Sequence, residues 1–235
     1  MDDMMLGYVL GKSQGGGVTP TGSIDITKNG TYDVSDKAEA VVNVDSSNAK
    51  FTKYGFPYDE GEWKNTDYGI THITNIGGNY SQFYYTSGIT KITLSGEVHL
   101  GTNYCMAYCP STITILDATN ATITDVANYT FVGSRFTTMI FGENCTKMGS
   151  GWWTASNPAA EIHFYGNLNS FSPNNHGGTT DTTHWYLHYD GGVIPLSGLT
   201  NLRQYNKFHV PAALYDEYCN ATNWADIPSQ IVGDL

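Results

Sequence analysis

Charge is scarce in this sequence. Only 14% of its 235 residues are Asp, Glu, Lys or Arg, against about a quarter in an ordinary soluble domain. What charge there is leans one way: 22 acidic residues against 11 basic ones leave a formal net charge of −11. Such a chain repels a phosphate backbone and an anionic membrane surface alike, so nucleic acid is not an expected partner. Long apolar runs are missing too, and none approaches the roughly 20 residues that a membrane-spanning helix needs. The N-terminus lacks the basic start and apolar core of a secretory signal; it opens Met1-Asp2-Asp3 and reaches a glycine run at Gly15 to Gly17. Two expectations follow, a signal already removed or a protein that leaves its cell by assembly into a particle, and Met1 favours the second. Cysteine is sparse as well. Cys105, Cys109, Cys145 and Cys219 form no Cys-x-x-Cys pair and have no histidine at zinc-site spacing, which excludes the common structural zinc motifs. They read as free or buried thiols, with a Cys105–Cys109 disulfide as the alternative.

What is abundant is Gly (26), Tyr (17), Thr and Asn, the composition of short strands joined by tight turns, and the expected class is mainly β. Four stretches separate. Residues 1–21 hold a short apolar segment and a Gly, Thr and Pro linker, and Met5, Leu6, Tyr8 and Leu10 are its candidate anchor to a larger assembly. In residues 22–50, Ser23 to Thr27 alternates polar and apolar, Asn29-Gly30 is a turn signal and Tyr32 to Val34 resumes the alternation. That pattern predicts a β-hairpin, with Ala40 to Val44 as a third strand. Residues 51–210 carry repeats, and residues 211–235 read as a helical cap.

The repeats show as short apolar strands starting at Ile89, Thr112, Phe136, Glu161, Trp185 and Lys207, at intervals of 22 to 25 residues. A looser turn is expected at Ile70 to Ile73. Between strands a second apolar element recurs, as in Ile123 to Val126 and Thr146 to Met148, each followed by aromatic residues. A repeat of this length cannot bury its own apolar face, so neighbours must stack.

The order strand, Ile-x-x-Val, Phe-containing turn, next strand, clearest over Thr112 to Phe141, resembles the BspA-like leucine-rich repeats. Ile, Phe and Met stand where that family has leucine, and Pro173 to Thr183 is unusually polar, so the later turns are degenerate. Ile24 to Val34 followed by Ala40 to Val44 resembles a short "ENGTYDV…VNV" module of structural proteins in phages and prophages of Gram-positive gut bacteria. Phe208 to Tyr218, Ala221 to Trp224 and Ile227 resemble the closing segment of BspA-type proteins, where a last strand leads into a capping helix. Pro211 at its first turn and Leu214, Tyr215 and Tyr218 at spacings of three and four fit that helix. Together these resemblances imply an irregular leucine-rich-repeat-like solenoid in a phage tail, baseplate or surface fibre. They imply other virion proteins as partners, through the N-terminal segment, oligomerisation within the assembly, and attachment to a host surface glycan or protein. A secreted BspA-like bacterial adhesin is the alternative.

No catalytic motif stands out, and neither cofactor nor enzymatic activity is expected. His184 and His188 at i and i+4 would suit zinc on a helix, but Trp185 to Tyr189 reads as a strand and no third ligand follows. Asp59, Glu60 and Glu62 beside Trp63 leave a glycan-degrading enzyme as a third reading, although a solvated loop accounts for them. The surplus lies in aromatic residues, which in a weakly charged surface stack on sugars or anchor an interface. Tyr84, Trp152, Trp153, Trp185 and Tyr186 are the candidate binding surface, with core packing as the competing role for each.

Overall fold

The computed structural model describes residues 23–26, 39–42, 50–51, 57–58, 60–67, 73, 81, 83–84, 86, 88–148, 161–169, 171–173, 183–197 and 206–235. The protein is mainly β. Strand β1 (Ser23–Ile26) pairs in parallel with β2 (Glu39–Val42), and β3 (Lys50–Phe51) pairs antiparallel with β4 (Pro57–Tyr58). The direct β1–β2 pairing differs from the expected meander. A parallel pair needs about a dozen connecting residues, and residues 27–38 supply them; the Tyr32 to Val34 arm of the expected hairpin lies outside the described residues.

The other strands form one eight-stranded parallel sheet. Its members are β5 (Gly61–Lys64), β6 (Ile89–Glu97), β7 (Ile115–Thr122), β8 (Thr138–Phe141), β9 (Glu161–Phe164), β10 (His184–Leu187), β11 (Lys207–Val210) and β12 (Ile231–Gly233), each beside its neighbour in sequence. Register makes the repeat sharper than the strand starts did. Leu116 lies opposite Met139, Met139 opposite Ile162, Ile162 opposite Trp185, Trp185 opposite Phe208 and Phe208 opposite Ile231, a step of 23 residues every time. Alternate residues of a strand face opposite sides, so this row points inward together and every member is buried. A second inward row runs Ala118, Phe141, Phe164, Leu187 and Val210. Phe141 stacks on Phe164 at 5.1 Å, and Trp185 lies near-parallel to both Phe164 and Phe208. Beyond the strands, parallel bridges join Leu100 to Val126, Ile123 to Cys145 and Phe171 to Leu196, so the intervening segments also stack.

The structure corrects the sequence reading at both ends of the sheet. Glu62 and Trp63 belong to the first strand rather than to a solvated loop: Trp63 is 1% exposed and meets Phe83 edge-on. Its apolar ring outweighs the acidic neighbours, because alternation sends Glu62 to the other face. The strand expected from Thr112 starts at Ile115, since Pro110 and the Ile113-to-Pro110 backbone bond hold a turn just before it. At the C-terminus the helix α1 (Tyr215–Asn220) is short. Tyr218 and Trp224 are buried as expected, but they pack beside Ile194, whose N–H donates to the Tyr218 hydroxyl and whose carbonyl accepts from Trp224 Nε1. The chain then returns as β12, so a strand and not the helix ends the sheet.

The four cysteines are free thiols. Burial pushes Cys105, Cys109 and Cys145 up to about 12, which leaves almost no thiolate at neutral pH, and only thiolate reacts. Native protein treated with a thiol reagent is therefore expected to label at partly exposed Cys219 first. Peptide mapping of the labelled chain checks this, and early labelling of Cys105 or Cys109 would contradict the packing.

Candidate functional site

The outward face of the sheet changes character along its length. On β5 to β7 it is ionic: Lys91 lies 3.2 Å from Glu62 and 2.9 Å from Asp117, Thr93 donates to Glu62 and Thr119 to Asp117. Thr93 and then Lys91 hold Glu62 below the ordinary carboxylate value. Partial burial, the largest single effect, pushes Asp117 up, but the bonds from Lys91 and from the Thr119 hydroxyl and N–H together outweigh it and its value is also lowered. Lys91 is thus held between two carboxylates whose values both lie below the ordinary range. Thr138 and Ile140 on β8 are neutral and end the ionic stretch.

From β9 onward the face is made of rings. His163, Tyr186 and His209 occupy matching positions on β9, β10 and β11, with ring centres 4.4 and 4.3 Å apart and planes within 6° and 14° of parallel. These separations follow the strand spacing of about 4.8 Å. Beside them Tyr165 and His188 stack at 4.2 Å and 3°. The rings on neighbouring strands therefore cover one another's faces, with His209 buried among them and His163, His184, Tyr186 and His188 partly exposed.

Hydrogen bonds tie this array together along diagonals. His163 Nδ1 is 3.0 Å from His188 Nε2, and His184 Nδ1 is 2.8 Å from His209 Nε2. The ring centres of these pairs are 5.3 and 5.1 Å apart, longer than the nitrogen distances by about two ring radii. Each bond thus lies in line between two nearly coplanar rings. Nitrogens that face each other in line hold one proton between them, and their lone pairs do not converge on a metal. His209 Nδ1 also lies 2.9 and 3.0 Å from the two oxygens of Asp234. A carboxylate only accepts, so His209 carries a proton on Nδ1; with both rings neutral, His209 then accepts at Nε2 from the Nδ1–H of His184. One carboxylate fixes two tautomers.

Burial lowers His163, His184 and His188 below the ordinary histidine value; His209 adds to the lowering at His163 and His184, and His163 to that at His188. Burial, then Glu161 and Asp234, raises Tyr186, so its phenol keeps its proton. For stability the sign is fixed: with folded values below the unfolded one, the unfolded chain takes up protons first as pH falls. The contribution is complete above about pH 6.5 and is lost from there down through the lowered folded values. Thermal melts are expected to show the melting temperature dropping between about pH 7.5 and about pH 5, with a flatter profile for His163→Gln and His184→Gln. A flat wild-type profile would contradict the burial of these rings.

The sequence candidates divide. Trp185 is corrected: it is 0% exposed, faces the core and donates from Nε1 to Asn206 Oδ1 at 3.0 Å, because its place in the alternation points inward. Tyr186 does face outward, yet His163 and His209 cover both its ring faces, so it offers a hydroxyl rather than a stacking surface. Tyr84 is half-buried in a turn whose Ser81 N–H bonds to the Ala107 carbonyl, toward the β6 end of the sheet and away from the rings. Trp152, Trp153 and the anchor residues Met5, Leu6, Tyr8 and Leu10 lie outside the described residues. His184 lies on a strand, β10, as the sequence suggested, but the strand pairing that gives His184 and His188 their histidine partners was missed. Its signal was present as His163, His184, His188 and His209 at mutual spacings of 21 and 25, on either side of the repeat length. Also missed was a stacked pair on the turns, Tyr104 and Tyr129, both with left-handed φ (64° and 58°) and 5.3 Å apart; the dipeptide Asn-Tyr at 103–104 and 128–129 announces it.

Among the described residues no helix is long and apolar enough to cross a membrane, and no cluster has the ligands for a metal ion. No protein-family model, curated protein or solved structure matches the chain.

Proposed function

We propose that the chain is an irregular solenoid of the leucine-rich-repeat type that acts, without enzymatic activity, as a surface-exposed binding component of a bacteriophage virion. The 23-residue register from β7 to β12 supports the repeat assignment, because it lies in the range of such repeats. The short module at Ile24 to Val44 supports the virion setting, with residues 1–21 docking into the assembly and the same chain present in several copies. The observation that carries the binding role is the ring array on β9 to β11. A structural sheet face needs no histidines, whereas this one holds a dense set of polar rings, most of them partly exposed, in a stacked and hydrogen-bonded array. Tyr165, 42% exposed, and His188 lie at one margin, and Asp234 at the other.

Two measurements test this. Mass spectrometry of purified particles should recover the chain at stoichiometric copy number. Fluorescently labelled protein should bind the cells such particles infect, and Tyr165→Ala with His188→Gln should weaken that binding by about tenfold, or about 1.4 kcal/mol. Absence from particles would remove the virion setting, and unchanged binding would remove the face. The repeat resemblance also fits a secreted BspA-like adhesin using the same face; recovery from bacterial wall fractions in place of particles would favour it.

A further inference from the structure

We propose that the ring face is a proton-switched site for carboxylate-bearing polysaccharides, taking them under mildly acidic conditions and releasing them near neutral pH. The inference rests on the proposed binding role and adds the ligand class and its control.

The switch follows from the proton count on the two in-line pairs. At neutral charge His209 donates to Asp234 and accepts from His184, so the remaining nitrogen of His184, Nε2, is an acceptor. In the His163–His188 pair one ring donates to the other. Of its two remaining nitrogens, His163 Nε2 and His188 Nδ1, one is then a donor and the other an acceptor. The free nitrogens therefore number two acceptors and one donor. Add one proton to each pair. Whichever ring holds the charge, the internal bond keeps one proton and all three free nitrogens become N–H donors. A second proton per pair would set two N–H groups head to head at 2.8 or 3.0 Å, so each pair stops at one.

Charge changes with the donors. Glu161 on β9, Lys207 on β11 and Asp234 after β12 are the charged groups that face these rings among the described residues. The phenols of Tyr165 and Tyr186 are neutral, and Thr138 and Ile140 on β8 and Val232 on β12 add no charge. Two carboxylates and one ammonium make the face negative by one with neutral rings; two added protons make it positive by one. The neutral face thus repels a carboxylate and offers it few donors, while the protonated face attracts it and offers three. The −11 of the whole chain matters less at contact, because exposed charges are screened beyond about 8 Å at physiological ionic strength. It still disfavours phosphodiester polymers, with one charge for roughly every 1.7 Å of duplex. A uronic-acid polymer carries fewer charges, with neutral hydroxyls between them for the Tyr165 and Tyr186 phenols.

Titration calorimetry of the full chain with polygalacturonate tests this, with dextran as the neutral control. The expected result is binding at least about tenfold tighter near pH 5 than near pH 7.5. Uptake of about two protons per site, read from buffers of different ionisation heat, and no dextran binding are expected with it. His184→Gln and His188→Gln should abolish the pH dependence while the β-type circular dichroism persists. Proton uptake by the unaltered protein gives a reading independent of how those variants fold. Equal affinity at the two pH values, no proton uptake, or dextran bound as well as polygalacturonate would overturn the inference. Cell binding that needs the face but ignores pH would leave the binding role standing and remove only this switch.

Discussion

Replacing Trp185 by alanine is expected to destabilise the protein by about 4 kcal/mol, the usual cost of emptying an aromatic core site. For a chain of this size that corresponds to a melting temperature lower by roughly 8–16 °C. Three effects combine. The ring is fully buried in the inward row between Ile162 and Phe208, so its removal leaves a cavity in the middle of a stack. It meets Phe171 edge-on at 5.4 Å and lies parallel to Phe164 and Phe208, so three aromatic neighbours lose a partner at once. It also supplies the donor at Asn206 Oδ1, which tethers the residue just before β11. Trp185→Phe should recover most of the packing but not that bond, and is expected to cost about 2 kcal/mol. Calorimetric melts of both variants separate the two contributions. A melting temperature within a degree of the unaltered protein in Trp185→Ala would mean that the residue faces solvent after all.

The second large effect is expected at Gly142, which follows β8. A Cβ added there would sit 1.9 Å from the carbonyl oxygen of Thr119 on neighbouring β7, with the Thr119 carbonyl carbon and Cα also within contact. The obstacle is backbone, which cannot rotate aside, and the Gly142 N–H is bonded to Ala118 in the same neighbourhood. Gly142→Ala therefore forces β7 and β8 apart at their ends and is expected to cost about 3 kcal/mol. Its φ is not in the left-handed region, so close approach alone carries the effect. A position such as Gly96, with φ 72° and open space around its Cβ, provides the contrast: alanine there strains the backbone without a clash and should cost about 1 kcal/mol. Equal losses at the two positions would show that strand spacing at Gly142 is not the limit.

The repeat was legible in the sequence because burial and strand alternation act within a few residues, and strands beginning near Ile89, Glu161 and Lys207 fell where expected. Phase was less legible. Trp185 and Tyr186 are adjacent and both aromatic, and only the pairing with Ile162 and Phe208 decides which of them enters the core. Gly61–Lys64 was obscured by Glu60, Glu62 and Lys64, since three charges beside one inward tryptophan look like a loop until Lys91 and Thr93 appear opposite Glu62 and Lys64. β12 was hidden because Ile231, Val232 and Gly233 are too few to announce a strand, and the sheet edge offered by β11 recruits them. The site was the least legible part. Hydrogen bonds between His163 and His188, or His184 and His209, depend on the diagonal lean of side chains across twisted strands, and no spacing within one strand reveals that.

Asp234 imposes a proton order on the neutral ring array through His209. Long-range proton–nitrogen NMR of the imidazoles near neutral pH reads that order directly. The predicted result is His184 and His209 each as a single Nδ1–H tautomer, with both relaxing toward a tautomer mixture in Asp234→Ala. Histidines at these positions that show the Nε2–H form preferred by free imidazole side chains, unaffected by Asp234→Ala, would contradict it.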